Sequence, residues 1–425
     1  MRRAVFVLPA GLALLAGLDA ALLLLDLPAP VTTERLPVVH GVLLVLGFVG
    51  TVVALERAVA LRTRWGFAAP GLLGAGALAL LSPAALVVGQ VLLVAGCAAL
   101  CAVYVPLWRR QHDDAVLVQL LGAVLATCGA LLWLGGVGVA DVLPWLACFV
   151  VATIAGERLE LARVAFLGAR GADVVLWVCW ALAAGCMASL LWPSVGYAVL
   201  GAAVLTLCGW LAAHDVARRT IRSTGLARYM AACLLAAYVW LAVAGTIWLL
   251  AGRQVTGPGY DAVIHAIFLG FTISMILAHA PVILPAVLKT RLPYTPLMYG
   301  PAVLLHLGLL VRLGLGDARD LPVAHQVGGV LNVVALLAFV ALVLGVGIRA
   351  RLASGPGTPS GGRPRVPHDD ADVPTSPRPA APSRVPTTPA PTTATTSASR
   401  AGRAPAPDPR IAVGPSPAQL EETAP

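Results

Sequence analysis

The sequence is short of charge: only 12% of its 425 residues are Asp, Glu, Lys or Arg, and 6% are aromatic. So little charge cannot coat a soluble core, which excludes a water-soluble globular fold. Asp and Glu are almost absent from the apolar runs, so buried carboxylates of the kind that couple carriers to protons are not expected. No A-x-A-like cleavage site follows Asp26, and the apolar core before it is too long for a leader. The opening MRRAVFVLPAGLALLAGLDAALLLL is therefore read as a first membrane span. Eight cysteines (97, 101, 128, 148, 179, 186, 208 and 233) lie almost entirely within apolar runs. Cys97 and Cys101 form an i,i+4 pair, but two thiols are too few for a metal site and no disulfide framework is implied. All eight read as small buried apolar side chains.

What is present is hydrophobic: 59% of the chain, with a mean hydropathy of +0.87. Apolar runs of about 18 or more residues, each able to cross ~30 Å of hydrocarbon, recur through the first 350 positions. Twelve are read, roughly at 4–26, 37–56, 66–83, 85–107, 115–135, 139–156, 173–192, 194–213, 227–251, 262–288, 297–315 and 321–348. The expected fold is all-α: a polytopic membrane domain over 1–352, followed by a Pro/Thr/Ala/Ser-rich tail over 353–425. That tail buries too little apolar surface to offset chain entropy, so disorder is expected there.

Arginine positions give an orientation. Arg57, Arg62 and Arg64 follow span two, and Arg109 and Arg110 follow span four. Arg158, Arg163 and Arg170 follow span six, and Arg218, Arg219, Arg222 and Arg228 follow span eight. Lys289 and Arg291 follow span ten, and Arg349 and Arg351 follow span twelve. The opposite loops hold only Arg35, Arg253, Arg312 and Arg319, and Arg312 falls within its own span. Both termini are thus expected on the cytoplasmic side of the cell membrane. The net charge of +9 answers to topology and anionic lipid headgroups, not to nucleic acid.

A weak internal repeat runs through the chain. Span two carries GFVGTVVALERAVAL and span six CFVVATIAGERLELA, each ending in a Glu-Arg pair (Glu56-Arg57 and Glu157-Arg158). Span ten carries Gly270-Phe271 soon after His265, as Gly47-Phe48 follows His40. The four-helix spacing suggests three quasi-repeats of four helices. The Glu-Arg pairs read as interfacial anchors whose side chains snorkel to the rim.

Five of the eight histidines lie in apolar runs, where a polar ring is costly: His40, His265, His279, His306 and His325. Imidazole is the commonest protein ligand for metals and for haem iron. His40, His265 and His325 each stand about one turn inside the outer end of their span, so any two could face each other across a haem. His279 lies fourteen residues after His265, which in a regular helix puts both rings on one side about 21 Å apart. His279 and His306 are both expected near the inner rim, where they could form a second site. Pro281 and Pro285 leave the carbonyls of Leu277 and Pro281 without helical donors, so a kink beside His279 could line a cavity.

Twelve helices in three units of four, with histidines on helices two and ten, resemble the haem–copper oxidase subunit I fold. His40-Gly41 followed by VLLVLGF is similar to that superfamily's helix-two haem-ligand segment. A closer likeness is to NnrS-type membrane proteins of the nitric oxide response, which are haem- and copper-containing. The resemblance implies a low-spin, b-type haem held by His40 and His265, with copper as a further candidate metal around His279. Spans six and seven lack the histidines that hold copper in the oxidases, and span ten lacks their close H-x-H pair. A dioxygen-reducing centre is therefore not expected.

Three functions stand open on the sequence. One is a haem protein of electron transfer or nitrogen-oxide response, with the bilayer and an electron donor or partner subunit around it. The others are a twelve-helix secondary transporter and a cofactor-free assembly subunit.

Overall fold

The computed structural model describes residues 4–165, 169–288 and 292–353. They form twelve principal helices and no strands: α1 (Ala4–Leu24), α2 (Arg35–Leu61), α3 (Trp65–Leu81), α4 (Leu86–Gln111), α5 (Asp114–Leu134) and α6 (Val139–Ala165), then α7 (Ala169–Leu191), α8 (Pro193–His214), α9 (Gly225–Ala251), α10 (Gly257–Val287), α11 (Pro296–Asp317) and α12 (Pro322–Ala353). Eleven are long and apolar enough to cross a membrane. The exception is α3, which at ~1.5 Å per residue reaches about 25 Å, short of a ~30 Å hydrocarbon core. The chain is a multi-pass, all-helical membrane protein. The expected disordered tail, Lys289 and Arg291 lie outside the described residues.

Local chemistry explains the boundaries. Asp113 caps α5, its Oδ1 accepting from the Ala115 amide at 2.9 Å. Pro193 opens α8 directly after Trp192, a first-turn position where its missing N–H costs nothing. Pro281 and Pro285 do not end α10, whose α-helical winding runs on past both of them from Ser274. All eight cysteines are free thiols, six of them buried, as expected for packing residues.

Three helices change winding midway. Segments Leu43–Gly50 of α2, Ala266–Ile273 of α10 and Leu310–Asp317 of α11 are π-helical. Each contains a Leu-Gly step followed by Phe or Leu: Leu46-Gly47-Phe48, Leu269-Gly270-Phe271 and Leu313-Gly314-Leu315. The wider turn shifts carbonyls out of α-helical register, and the Thr272 hydroxyl bonds one of them, Ile267 O, at 2.9 Å. π-Helical turns concentrate at functional sites, and here they follow His40, His265 and His306 in the chain.

Successive helices pack side by side, and α12 returns to touch α1. Helices α2, α6 and α10 meet inside this succession, α10 packing on both α2 and α6. Arg57 of α2 reaches Glu157 of α6 at 3.7 Å, and Arg158 of α6 reaches His279 of α10 at 2.6 Å. These contacts join the three helices that the repeat singled out. They also correct the snorkelling reading of the Glu-Arg pairs: the Arg57 and Arg158 side chains are only 12% and 6% exposed. They point into the helix bundle because carboxylates and a histidine wait there, a satisfaction that lipid headgroups would otherwise supply.

Candidate functional site

Polar side chains gather at the arginine-poor end of the interior. His40 sits on the α-helical turn before the π segment of α2 and directs Nδ1 to the carbonyl of Gly17 on α1, at 2.9 Å. His265 closes the first turns of α10, with Nδ1 2.9 Å from the Asp261 carbonyl and 3.1 Å from the Asp261 carboxylate. A carbonyl only accepts, so in both rings the proton lies on Nδ1 and the lone pair on Nε2. Among the described residues no hydrogen bond engages either Nε2. The two rings lie within electrostatic reach of each other and of Asp261 and Arg312.

Arg312, from the π segment of α11, binds Asp261 through two parallel hydrogen bonds at 2.8 and 2.7 Å. Its side chain is 9% exposed, so the pair is shielded and each partner depends on the other. His325, on the first turns of α12, points Nδ1 at Asp317 Oδ1 across 2.8 Å. Glycine brings α11 and α12 close enough for this. A Cβ on Gly316 would fall 2.7 Å from the His325 Cα, and one on Gly328 2.4 Å from the Arg312 amide nitrogen.

The other two expected ligands have different surroundings. His279 gives its Nδ1 proton to the Met275 carbonyl at 2.6 Å, while its Nε2 meets the Arg158 guanidinium. With that lone pair taken, the ring is a structural acceptor. His306 receives the Trp240 indole N–H on Nδ1 at 3.0 Å, which places its own proton on Nε2, a buried atom with no partner. Neither ring offers a free lone pair, and they face different helices, α6 and α9. Of the five histidines, then, the structure gathers His40, His265 and His325 around Asp261 and Arg312 and directs His279 and His306 to different helices.

Asp261, Arg312 and Asp317 were not among the expected site residues. Arg312 carried the signal, since an arginine inside an apolar run needs a carboxylate near its own depth. Span ten begins with one, Asp261.

At the arginine-rich end Arg158 also lies 3.9 Å from Asp215, which accepts from the Tyr238 hydroxyl at 2.6 Å. Beside them a cavity of about 230 Å³ opens among Leu161, Val216, Thr220, Met230 and Leu234.

Residues 3–348 match the family described as Domain of unknown function (DUF8744). The chain belongs to this family. The match takes in every residue of both polar clusters in this DUF8744 chain. No curated protein matches it.

Proposed function

We propose that this DUF8744 chain is an integral membrane haem protein in which His40 and His265 are the two ligands of one iron. Its role would be electron transfer or the handling of nitrogen oxides. One observation carries the reading: both rings have Nδ1 tied to a main-chain carbonyl, leaving Nε2 lone pairs on two helices that pack together. That is the arrangement of metal-ligating histidine, whose second nitrogen donates outward and so fixes tautomer and ring orientation. The likeness of the His40 segment and of helix ten to the haem–copper oxidase superfamily and NnrS-type proteins points the same way.

A bound haem of b type would supply a one-electron iron couple. The chain's own residues would set its surroundings. Asp261 offers carbonyl and carboxylate to the His265 N–H, which fixes the tautomer and orientation of that ring. Arg312 fixes the Asp261 carboxylate and keeps it from turning away. Copper at His279 and His306 finds no support, since neither ring offers a free lone pair and the two face different helices. The positive-inside preference assigns the arginine-rich end to the cytoplasmic face.

The test is a reduced-minus-oxidised absorbance spectrum of the detergent-purified protein expressed with ample haem. A haem band lost in both His40→Ala and His265→Ala supports the assignment. A colourless wild-type protein, or a band that survives both substitutions, overturns it.

A second reading, a secondary transporter, draws on the ion pair Asp261–Arg312 and on Asp317, polar groups that sit within the spans after all. Substrate or proton uptake into proteoliposomes by a haem-free preparation would favour it.

A further inference from the structure

We propose that Asp261, Asp317 and His325 form a binding site for one divalent first-row transition-metal ion, separate from the His40–His265 pair. Their ligand atoms all lie within 4.8 Å of one another, close enough for a single ion to contact all three. The donors come from three elements: the start of α10, the end of α11 and the start of α12. The glycine crossing of α11 and α12 fixes the last two against each other.

A second observation points to a missing cation. The Asp317 side chain is only 7% exposed, and its Oδ2 is buried without a hydrogen-bond donor, while Oδ1 is matched with His325. A carboxylate oxygen removed from water and left unpaired is costly, and such atoms in folded chains usually answer to an ion or water. Charge agrees. Two carboxyl groups lie against each other beside one guanidinium, and a cation between them would relieve their repulsion in a low-dielectric setting. Arg312 does not exhaust Asp261, because each carboxylate oxygen has two lone-pair directions.

The donor types select the class of ion. Two carboxylates and one imidazole suit zinc and its first-row neighbours, whereas magnesium and calcium favour all-oxygen shells. Three protein donors leave a fourth position open, as in zinc sites that bind water or a substrate. His325 is 29% exposed, which gives an ion a route from solvent.

The experiment uses the full chain in detergent, stripped with a chelator, dialysed and titrated with zinc ion by calorimetry. Metal content is then read by mass spectrometry. We expect one zinc per chain, binding weakened on the order of tenfold or more by Asp317→Asn and by His325→Ala, and binding unchanged in His40→Ala. Size-exclusion profiles report folding, and if Asp317→Asn does not fold, His325→Ala carries the test. Three results would each overturn the site: no stoichiometric zinc in the wild-type chain, affinity indifferent to both substitutions, or loss in His40→Ala as large as in Asp317→Asn. In the first case a proton held between Asp317 and Asp261 would take the place of the ion.

Discussion

Arg312 and Asp261 are joined fork to fork, Nε to Oδ2 and one terminal nitrogen to Oδ1, across the interface of α11 and α10. Removing one partner of such a shielded pair strands the other charge, at a cost of about 3–5 kcal/mol. We expect Arg312→Ala to lower thermal stability in detergent by that order. Adding Asp261→Asn should recover part of the loss. Lysine should not substitute, since a point charge cannot make both bonds. If Arg312→Lys melted like the wild type, the paired geometry would be irrelevant.

A contrasting pair joins the loop after α9 to the first turn of α6. Arg253 binds Asp141 at 2.7 Å, and that carboxylate raises the guanidinium pKa, but the two side chains are 43% and 35% exposed. Arg253→Ala should cost less than about 1 kcal/mol, and the difference should shrink in high salt. Melting curves at low and high ionic strength check this.

Substitution of glycine should separate packing from winding. Gly328→Ala drives a carbon into the α11 main chain, which cannot yield as a side-chain tip can. We expect a loss of at least about 1–3 kcal/mol, or no folded protein. Gly314→Ala, in the π segment of α11 with nothing within 4 Å of its new carbon, should change stability by about 0.5 kcal/mol or less. Equal melting temperatures for the two variants would contradict the close crossing.

The Trp240–His306 bond can be tested through Gly270. A Cβ there would meet the Trp240 side chain at 2.3 Å, so Gly270→Ala should displace the indole and shift its fluorescence. Trp240→Phe removes the donor and should cost about 1 kcal/mol net. An unchanged emission maximum in Gly270→Ala would count against the packing described.

If the chain binds haem as proposed, His279→Ala should keep the absorbance band while losing stability. Its partner Arg158 would be left with an unmet donor in the interior. A band abolished by His279→Ala in folded protein would move an iron ligand to the other end of α10.

The helices were legible because long apolar runs have few alternatives. The breaks expected between spans three and four and between spans seven and eight are found at Ser82–Ala85 and at Trp192. The grouping of His40, His265 and His325 also followed from counting residues inward from each span's start. What failed was facing. His265 and His279 were placed on one side of α10 by assuming 3.6 residues per turn, but Ala266–Ile273 winds more slowly and intervenes between them. His279 meets Arg158 of α6, while His265 keeps to Asp261 and the cluster around Arg312. Nothing in AIFLGFTI distinguishes π winding from α winding, because both bury a continuous apolar run. The Glu-Arg pairs misled for a related cause. Composition shows a charged pair near a helix end, but only the tertiary neighbours decide whether it faces headgroups or carboxylates.

The π segments give α2, α10 and α11 slack in their length. Deleting one residue from Leu43–Gly50 could be absorbed by tightening to ordinary winding, with the backbone ladder healed. Seven residues of ordinary winding turn the chain about as far as eight of the wider kind, so the helix below would keep nearly its present facing. His40, Glu56 and Arg57 would then hold their neighbours. The same deletion in Thr51–Leu61, where no slack exists, would turn everything after it by about 100° and break the contacts of whatever polar side chains follow.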